Sequence, residues 1–171
     1  MGKKKKTWYR EEEIMNFRKF FLTVGFSGLS PKAPGTVGSF VSLLLGMFLI
    51  QYLHPSTLFL LALLITVIAV KQINIYEKEV GEHDSKEIVI DELAGMWIAL
   101  AICGINSENF LIMSGLAFIY FRLFDIWKPS IIGKIDEKVE GGWGVMGDDL
   151  VAGIAGGVAA AGTYQLISNF I

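Results

Sequence analysis

The sequence has a single cysteine, two histidines and four prolines in 171 residues, and only 19% of its residues are charged. Each shortage closes off a class of chemistry. Cys103 has no partner for an internal disulfide and lies inside an apolar run, where a free thiol behaves as a small hydrophobe. With so little histidine and cysteine, a bound metal would have to rest on carboxylate oxygen. The charged fraction falls below the one quarter usual for a soluble domain, and a net charge of −2 offers no basic surface to nucleic acid. No cleaved leader is expected either. Lys3 to Lys6 are followed by Trp-Tyr-Arg-Glu-Glu-Glu rather than by an apolar run.

What the sequence does have is apolar length. Apolar residues make up 53% of the chain and gather in five blocks, 36–53, 57–75, 88–105, 110–126 and 150–171. Each approaches the ~20 residues that cross a bilayer as a helix. A soluble helical bundle with a greasy core is the competing reading. Leu58 to Val70 speaks against it, because that run carries no charge and Thr66 is its only polar residue. The expected fold is therefore all-α: a multi-span helical membrane protein with about five spanning helices and an N-terminal amphipathic helix. A basic, disordered tail over 1–10 would precede a single domain over 11–171.

The 15 Lys and Arg set the sidedness. Eight precede the first block. Lys71, Lys78 and Lys86 lie in or beside the segment after the second, and Arg122, Lys128, Lys134 and Lys138 in or beside the segment after the fourth. The turns at 53–57 and 105–109 and the C-terminal tail hold none. By the positive-inside rule the N-terminus and the segments 76–87 and 128–149 face the cytoplasm.

Along the chain, Ile14, Phe17, Phe20 and Phe21 share one face of an amphipathic helix, with Arg18 and Lys19 on the other, suited to a lipid surface or to packing on the protein itself. The loop Ser30-Pro31-Lys32-Ala33-Pro34-Gly35-Thr36-Val37-Gly38-Ser39 follows. If a helix starts near Val37, its free N–H groups, with Thr36 and Ser39, can hold an anion beside Lys32. Gly81 is expected to end a helix, with Asp84 or Ser85 capping the next. That next helix carries Asp91 and Glu92 after three aliphatics, and burying such a pair calls for a cation, a proton or water. Asp84, Glu87 and Asp91 can share a face. Arg122, Asp125 and Lys128 recur every third residue before Pro129 stops the helix. Gly141 to Gly147 reads as a glycine-rich loop, with Asp148 and Asp149 at the start of the last helix, where its dipole favours anions. Gly153, Gly156, Gly157 and Gly162 then predict close helix contact.

Under this topology, four polar motifs fall at the cytoplasmic ends of different helices: 31–39, 84–92, 122–128 and 148–149. Carboxylates without histidine or cysteine are hard ligands that favour Mg²⁺ over zinc. Cations beside them favour phosphate. The combination points to phosphoryl chemistry on an amphiphile. A carboxylate-lined ion or proton transporter is the alternative, although here the charges cluster at one face and are not strung across the bilayer. A non-catalytic membrane scaffold is a third possibility.

The stretches SPKAPGTVGS (30–39), IVIDELAGMW (88–97), FRLFDIWKP (121–129) and GGWGVMGDDLVAG (141–153), in that order, resemble the phosphatidylglycerophosphatase A family of bacterial inner-membrane lipid phosphatases. The resemblance implies Mg²⁺-dependent hydrolysis of phosphatidylglycerophosphate to phosphatidylglycerol and inorganic phosphate on the cytoplasmic face. It implies catalytic roles for Asp84, Asp91, Glu92, Asp125 and Asp149. It places the metal on Asp91, Glu92, Asp125, Asp148 and Asp149, and the phosphate against Lys32, Gly35, Thr36, Ser39, Arg122 and Lys128. Asp84 lies in the least typical segment, 76–87. The oligomeric state is left open.

Overall fold

The computed structural model describes residues 13–81, 85–129 and 131–169. The basic stretch 1–10 lies outside them. The described residues form helices and no strand. Helix α1 covers residues 13–22 and is followed by a 3-10 turn, Ser27–Leu29. Then come α2 (Pro34–Leu49), α3 (Pro55–Val80), α4 (Ile90–Ile102), α5 (Phe110–Trp127), α6 (Ile131–Lys138) and α7 (Gly142–Ser168).

The helix boundaries follow local chemistry. Pro34 opens α2, where its missing N–H costs nothing. The helix thus starts three residues before the expected Val37. His54 caps α3 by accepting a hydrogen bond from the Ser56 amide. Gly81 closes α3 at φ 76°, the left-handed region that glycine tolerates without strain. Lys128 closes α5 at φ 46°, just before Pro129. Asp84 lies outside the described residues, and Ser85 does not cap α4. Its N-cap is Val89, held by a 2.9 Å bond from its amide to the Leu22 carbonyl.

Five long helices occupy the five apolar blocks, but their lengths differ more than the blocks suggest. Three helices, α3, α5 and α7, are long and apolar enough to cross a membrane among the described residues. The expectation of about five spans is corrected accordingly. At ~1.5 Å per residue, α2 with 16 residues reaches about 24 Å and α4 with 13 about 20 Å. Both fall short of the ~30 Å hydrocarbon core.

Helix α4 is instead the internal column of the bundle, with ten of its thirteen residues buried. Helix α7 packs along it, and α2, α3 and α5 surround the pair. The contact is close because glycines are set against backbone. A Cβ at Gly95 would stand 2.6 Å from the Asp149 carbonyl oxygen, and one at Gly157 2.8 Å from that of Ala99. Gly153 lies against Gly95 in the same way. Gly162 has open space and makes no such contact.

The outer surface is apolar where a soluble protein would be polar. Leu60, Leu64 and Val67 on α3 and Leu111, Ile112 and Ile119 on α5 are exposed. Such a belt belongs against lipid. On α1, Ile14, Phe17 and Phe20 are exposed, whereas Phe21 is half-buried and packs against the core, so the apolar face serves both roles. Arg18 is not on a solvated face. It is buried against α3, bonded to Gln72 at 3.1 Å and ion-paired to Glu79.

Candidate active site

The N-terminal ends of α2, α4 and α7 and the C-terminal ends of α3 and α5 come together at one end of the bundle. The ends of α2, α4, α5 and α7 enclose a cavity of about 250 Å³ whose lining includes Gly35, Asp91, Glu92, Asp125, Lys128, Asp148 and Asp149. Ser85 and Lys86 line its rim side. Residues as far apart in sequence as Pro34 and Asp149, drawn from all four motifs, thus share one space.

Each side chain has an identifiable support. Asp91 and Glu92 occupy the first turn of α4, where free N–H groups favour negative charge. The Asp91 Oδ1 accepts from the Glu92 amide at 2.9 Å. Glu92 is buried, and its carboxylate lies against Gly35, where any Cβ would collide with it. Gly35 therefore admits a carboxylate of the protein itself to the α2 N-terminus. Ser39 is buried beneath, with its hydroxyl against the Gly35 carbonyl at 2.8 Å and against Glu92.

Arg122 ties three helices together. Its Nη1 donates to Glu92 Oε2 at 2.6 Å, to Asp125 Oδ2 at 2.5 Å and to Ser39 Oγ at 3.1 Å. Its Nη2 donates to Thr36 Oγ1 at 3.4 Å. A planar guanidinium can satisfy two carboxylates at once, which an ammonium cannot do with the same geometry. Lys128 does not extend the Arg122–Asp125 stripe. The chain has left the helix there, and its Nζ donates to Asp148 Oδ2 at 2.7 Å.

Asp148 and Asp149 are placed differently from expectation. Residues 141–147 are not a loop before the last helix, because α7 starts at Gly142. The two aspartates lie in its second turn, buried at 5% and 3% exposure, and are not N-capping groups. The glycines are helical because tertiary packing overrides propensity: Gly142 sits against the Val70 backbone, and its amide donates to Asn74 Oδ1 at 2.8 Å. The Asp149 Oδ2 is buried and has no partner among the described residues.

One oxygen from each of Asp125, Asp148 and Asp149 lies within 4.8 Å of the other two. Among the described residues, five carboxyl groups and three basic side chains, Arg122, Lys128 and Lys86, lie around this cavity. The acidic groups outnumber the basic ones, in a setting where isolated charge is costly. The three aspartates are a group that could hold a metal ion through carboxylate oxygen.

Of the residues singled out in the sequence, Asp91, Glu92, Asp125, Asp148, Asp149, Gly35 and Lys128 line the cavity. Arg122, Thr36 and Ser39 bond into its wall. Lys32 is exposed and does not line it. Asp84 lies outside the described residues. Sequence reasoning passed over Ser85 and Lys86 as site residues. The only available signal was that they immediately precede the Ile88–Trp97 motif on the basic side of the chain.

The match to the model of one family, phosphatidylglycerophosphatase A, covers residues 20–164. A phosphatidylglycerophosphatase A from Escherichia coli is 40% identical over 134 residues, 78% of this chain and 76% of the relative. One from Haemophilus influenzae is 38% identical over 134 residues, 78% of this chain and 80% of the relative. A protein from Bacteroides thetaiotaomicron is 37% identical over 145 residues, 81% of this chain and 89% of the relative. It carries the provisional name phosphatidylinositol-3-phosphatase. No solved structure matches. The matched region holds all four motifs and every described residue of the cavity, and the chain belongs to the phosphatidylglycerophosphatase A family of phosphatases.

Proposed function

We propose that the chain hydrolyses the terminal phosphomonoester of phosphatidylglycerophosphate with Mg²⁺, giving phosphatidylglycerol and inorganic phosphate. The observation that carries this reading is the group of Asp125, Asp148 and Asp149 in a cavity where, among the described residues, carboxyl groups outnumber basic side chains, within a phosphatase family. The donor set fits Mg²⁺: oxygen ligands only, with one buried oxygen of Asp149 still unsatisfied among the described residues. Asp125, Asp148 and Asp149 would hold the ion, with Asp91 and Glu92 beside them. When bound, it supplies positive charge that draws the phosphate in and offsets the charge building on the transferring phosphoryl group.

The chain's own residues do the rest. Arg122 holds Asp125 and Glu92 in place, and Lys128 holds Asp148. Asp91 is the lining carboxylate that is neither paired with those cations nor part of the three-oxygen group. It takes the proton of the attacking water. Water oxygen bonds to phosphorus as the phosphorus–glycerol oxygen bond breaks, and the proton passes to the glycerol oxygen. The exposed apolar belt keeps the lipid substrate within reach of a cavity at headgroup depth. The concentration of Lys and Arg at this end of the helices supports a cytoplasmic active site in the bacterial inner membrane.

A transporter is not favoured. Between the two ends of the bundle, the buried polar side chains Ser42, Thr66 and Ser114 are uncharged, so no ionisable relay crosses it among the described residues.

The test is phosphate release by the purified protein in detergent, from phosphatidylglycerophosphate and from phosphatidylinositol 3-phosphate. Each substrate is assayed with Mg²⁺ and with EDTA. Release from phosphatidylglycerophosphate that EDTA abolishes is the expected result. Preference for the inositol lipid would overturn the substrate, and full activity in EDTA would overturn the metal.

A further inference from the structure

A second hollow of about 470 Å³ adjoins the acidic cavity. Pro34, Ser85 and Lys86 line both spaces, so the two meet along that wall. Their electrostatics differ. Acidic residues dominate the first. In the second the acid among the described lining residues is Glu87, already neutralised by Lys19 at 2.9 Å and bonded to the Tyr76 hydroxyl. Lys86 is exposed and makes no ion pair among the described residues. Arg18, Lys19, Arg122 and Lys128, by contrast, all have carboxylate partners.

The segment that carries Lys86 is held firmly. The Ile88 amide donates to the Ser85 carbonyl and the Val89 amide to the Leu22 carbonyl, both at 2.9 Å. Gly28 is packed so tightly against the Glu87 backbone that no side chain fits there. The far edge of the hollow is apolar: Leu29 lines it and is exposed, next to Phe26, which stacks edge-on against Phe20.

The proposed substrate has matching parts in the same order. A phosphomonoester is joined through glycerol to a phosphodiester, which leads to acyl chains. We propose that Lys86 binds the phosphodiester that the product retains, with the scissile monoester in the acidic cavity and the acyl chains leaving past Leu29. Lys86 thereby selects lipids that carry a second phosphate at this spacing. The inference rests on the substrate named above and adds a specificity determinant to it.

The test uses the full chain in neutral detergent micelles and the variants Lys86→Ala and Lys86→Arg. Lys86→Ala is expected to raise KM for phosphatidylglycerophosphate about tenfold, the loss of one charge-assisted contact, with kcat within about twofold. Product inhibition separates the two phosphates. The inhibition constant of phosphatidylglycerol should rise about tenfold in Lys86→Ala, while that of inorganic phosphate stays unchanged. Lys86→Arg should restore most of the loss. Equal weakening of both products, or of neither, would overturn the proposal. A fall in kcat with KM unchanged would also overturn it. If the unmodified protein releases no phosphate from phosphatidylglycerophosphate, the substrate reading itself has failed. Release by the parent with no split between the products refutes only the role of Lys86.

Discussion

Replacing Asp149 by Asn should make the metal-free protein more stable while abolishing its activity. Asp149 is 3% exposed, one of its oxygens has no partner among the described residues, and Asp125 and Asp148 crowd it. An uncompensated buried charge costs several kcal/mol even after relaxation. Asn keeps the shape, removes the charge and offers its NH₂ to the neighbouring carboxylates. Relief of about 1–3 kcal/mol is expected from the scale on which buried ionic groups are replaced by neutral ones. For a chain of this size each kcal/mol moves Tm by about 2–4 °C, so the metal-free Tm should rise by about 2–12 °C. Magnesium should reverse the order. A ligand at 100 times its Kd adds about 2.7 kcal/mol to a protein that binds it, and the variant should gain little of this. The measurement is tryptophan-fluorescence melting in detergent at pH 8, in EDTA and in Mg²⁺, with phosphate release assayed alongside. A variant that melts lower than the parent in EDTA, or that gains as much from Mg²⁺, refutes the idea that these carboxylates are held apart for a cation.

Gly95→Ala places a methyl 2.6 Å from both the Asp149 carbonyl oxygen and Phe121 Cε2. It should cost about 1–3 kcal/mol by overpacking and lower kcat by displacing Asp149; melting and turnover on one preparation check both. Arg122→Ala leaves Glu92 and Asp125 facing each other without their cation. With the Arg122 side chain 13% exposed, a loss of about 3–5 kcal/mol is expected, read as poor recovery of monodisperse protein, and Arg122→Lys should recover part of it. The docking of α1 should depend on pH through Glu87. Burial pushes that carboxyl up, but hydrogen bonds from Tyr76 and Lys19 and the Lys19 charge outweigh it, leaving it below its ordinary value of 4.5. A depressed folded value means the contribution is complete above about 4.5 and fades as pH falls through the folded value. Hydrogen exchange of residues 13–22 should accelerate over that acid range in the parent, and Glu87→Gln should remove that step.

The sequence by itself settled where helices can form and which end of them carries charge, because apolar blocks, Pro34, Gly81 and Pro129 act locally and the Lys and Arg distribution is one-sided. It also identified the family, because the four motifs occur in order. It could not set the span count: the apolar block 88–105 is about as long as the others, and only the structure shows that α4 takes up 13 residues of it, ten of them buried. Nor could it show that Gly142 to Asp149 is helical. Glycine disfavours helix locally, and what overrides that is the fit of Gly142 and Gly153 against the backbones of Val70 and Gly95. The partners of the charges were equally out of reach. A three-residue spacing suggested that Lys128 continues the Arg122–Asp125 stripe, whereas the left-handed turn at the end of α5 sends it to Asp148. Sequence spacing reports the neighbours along one helix. Which carboxylates share a cavity depends on how closely separate helices approach, and here that closeness is set by glycines whose effect appears only once a second backbone lies against them.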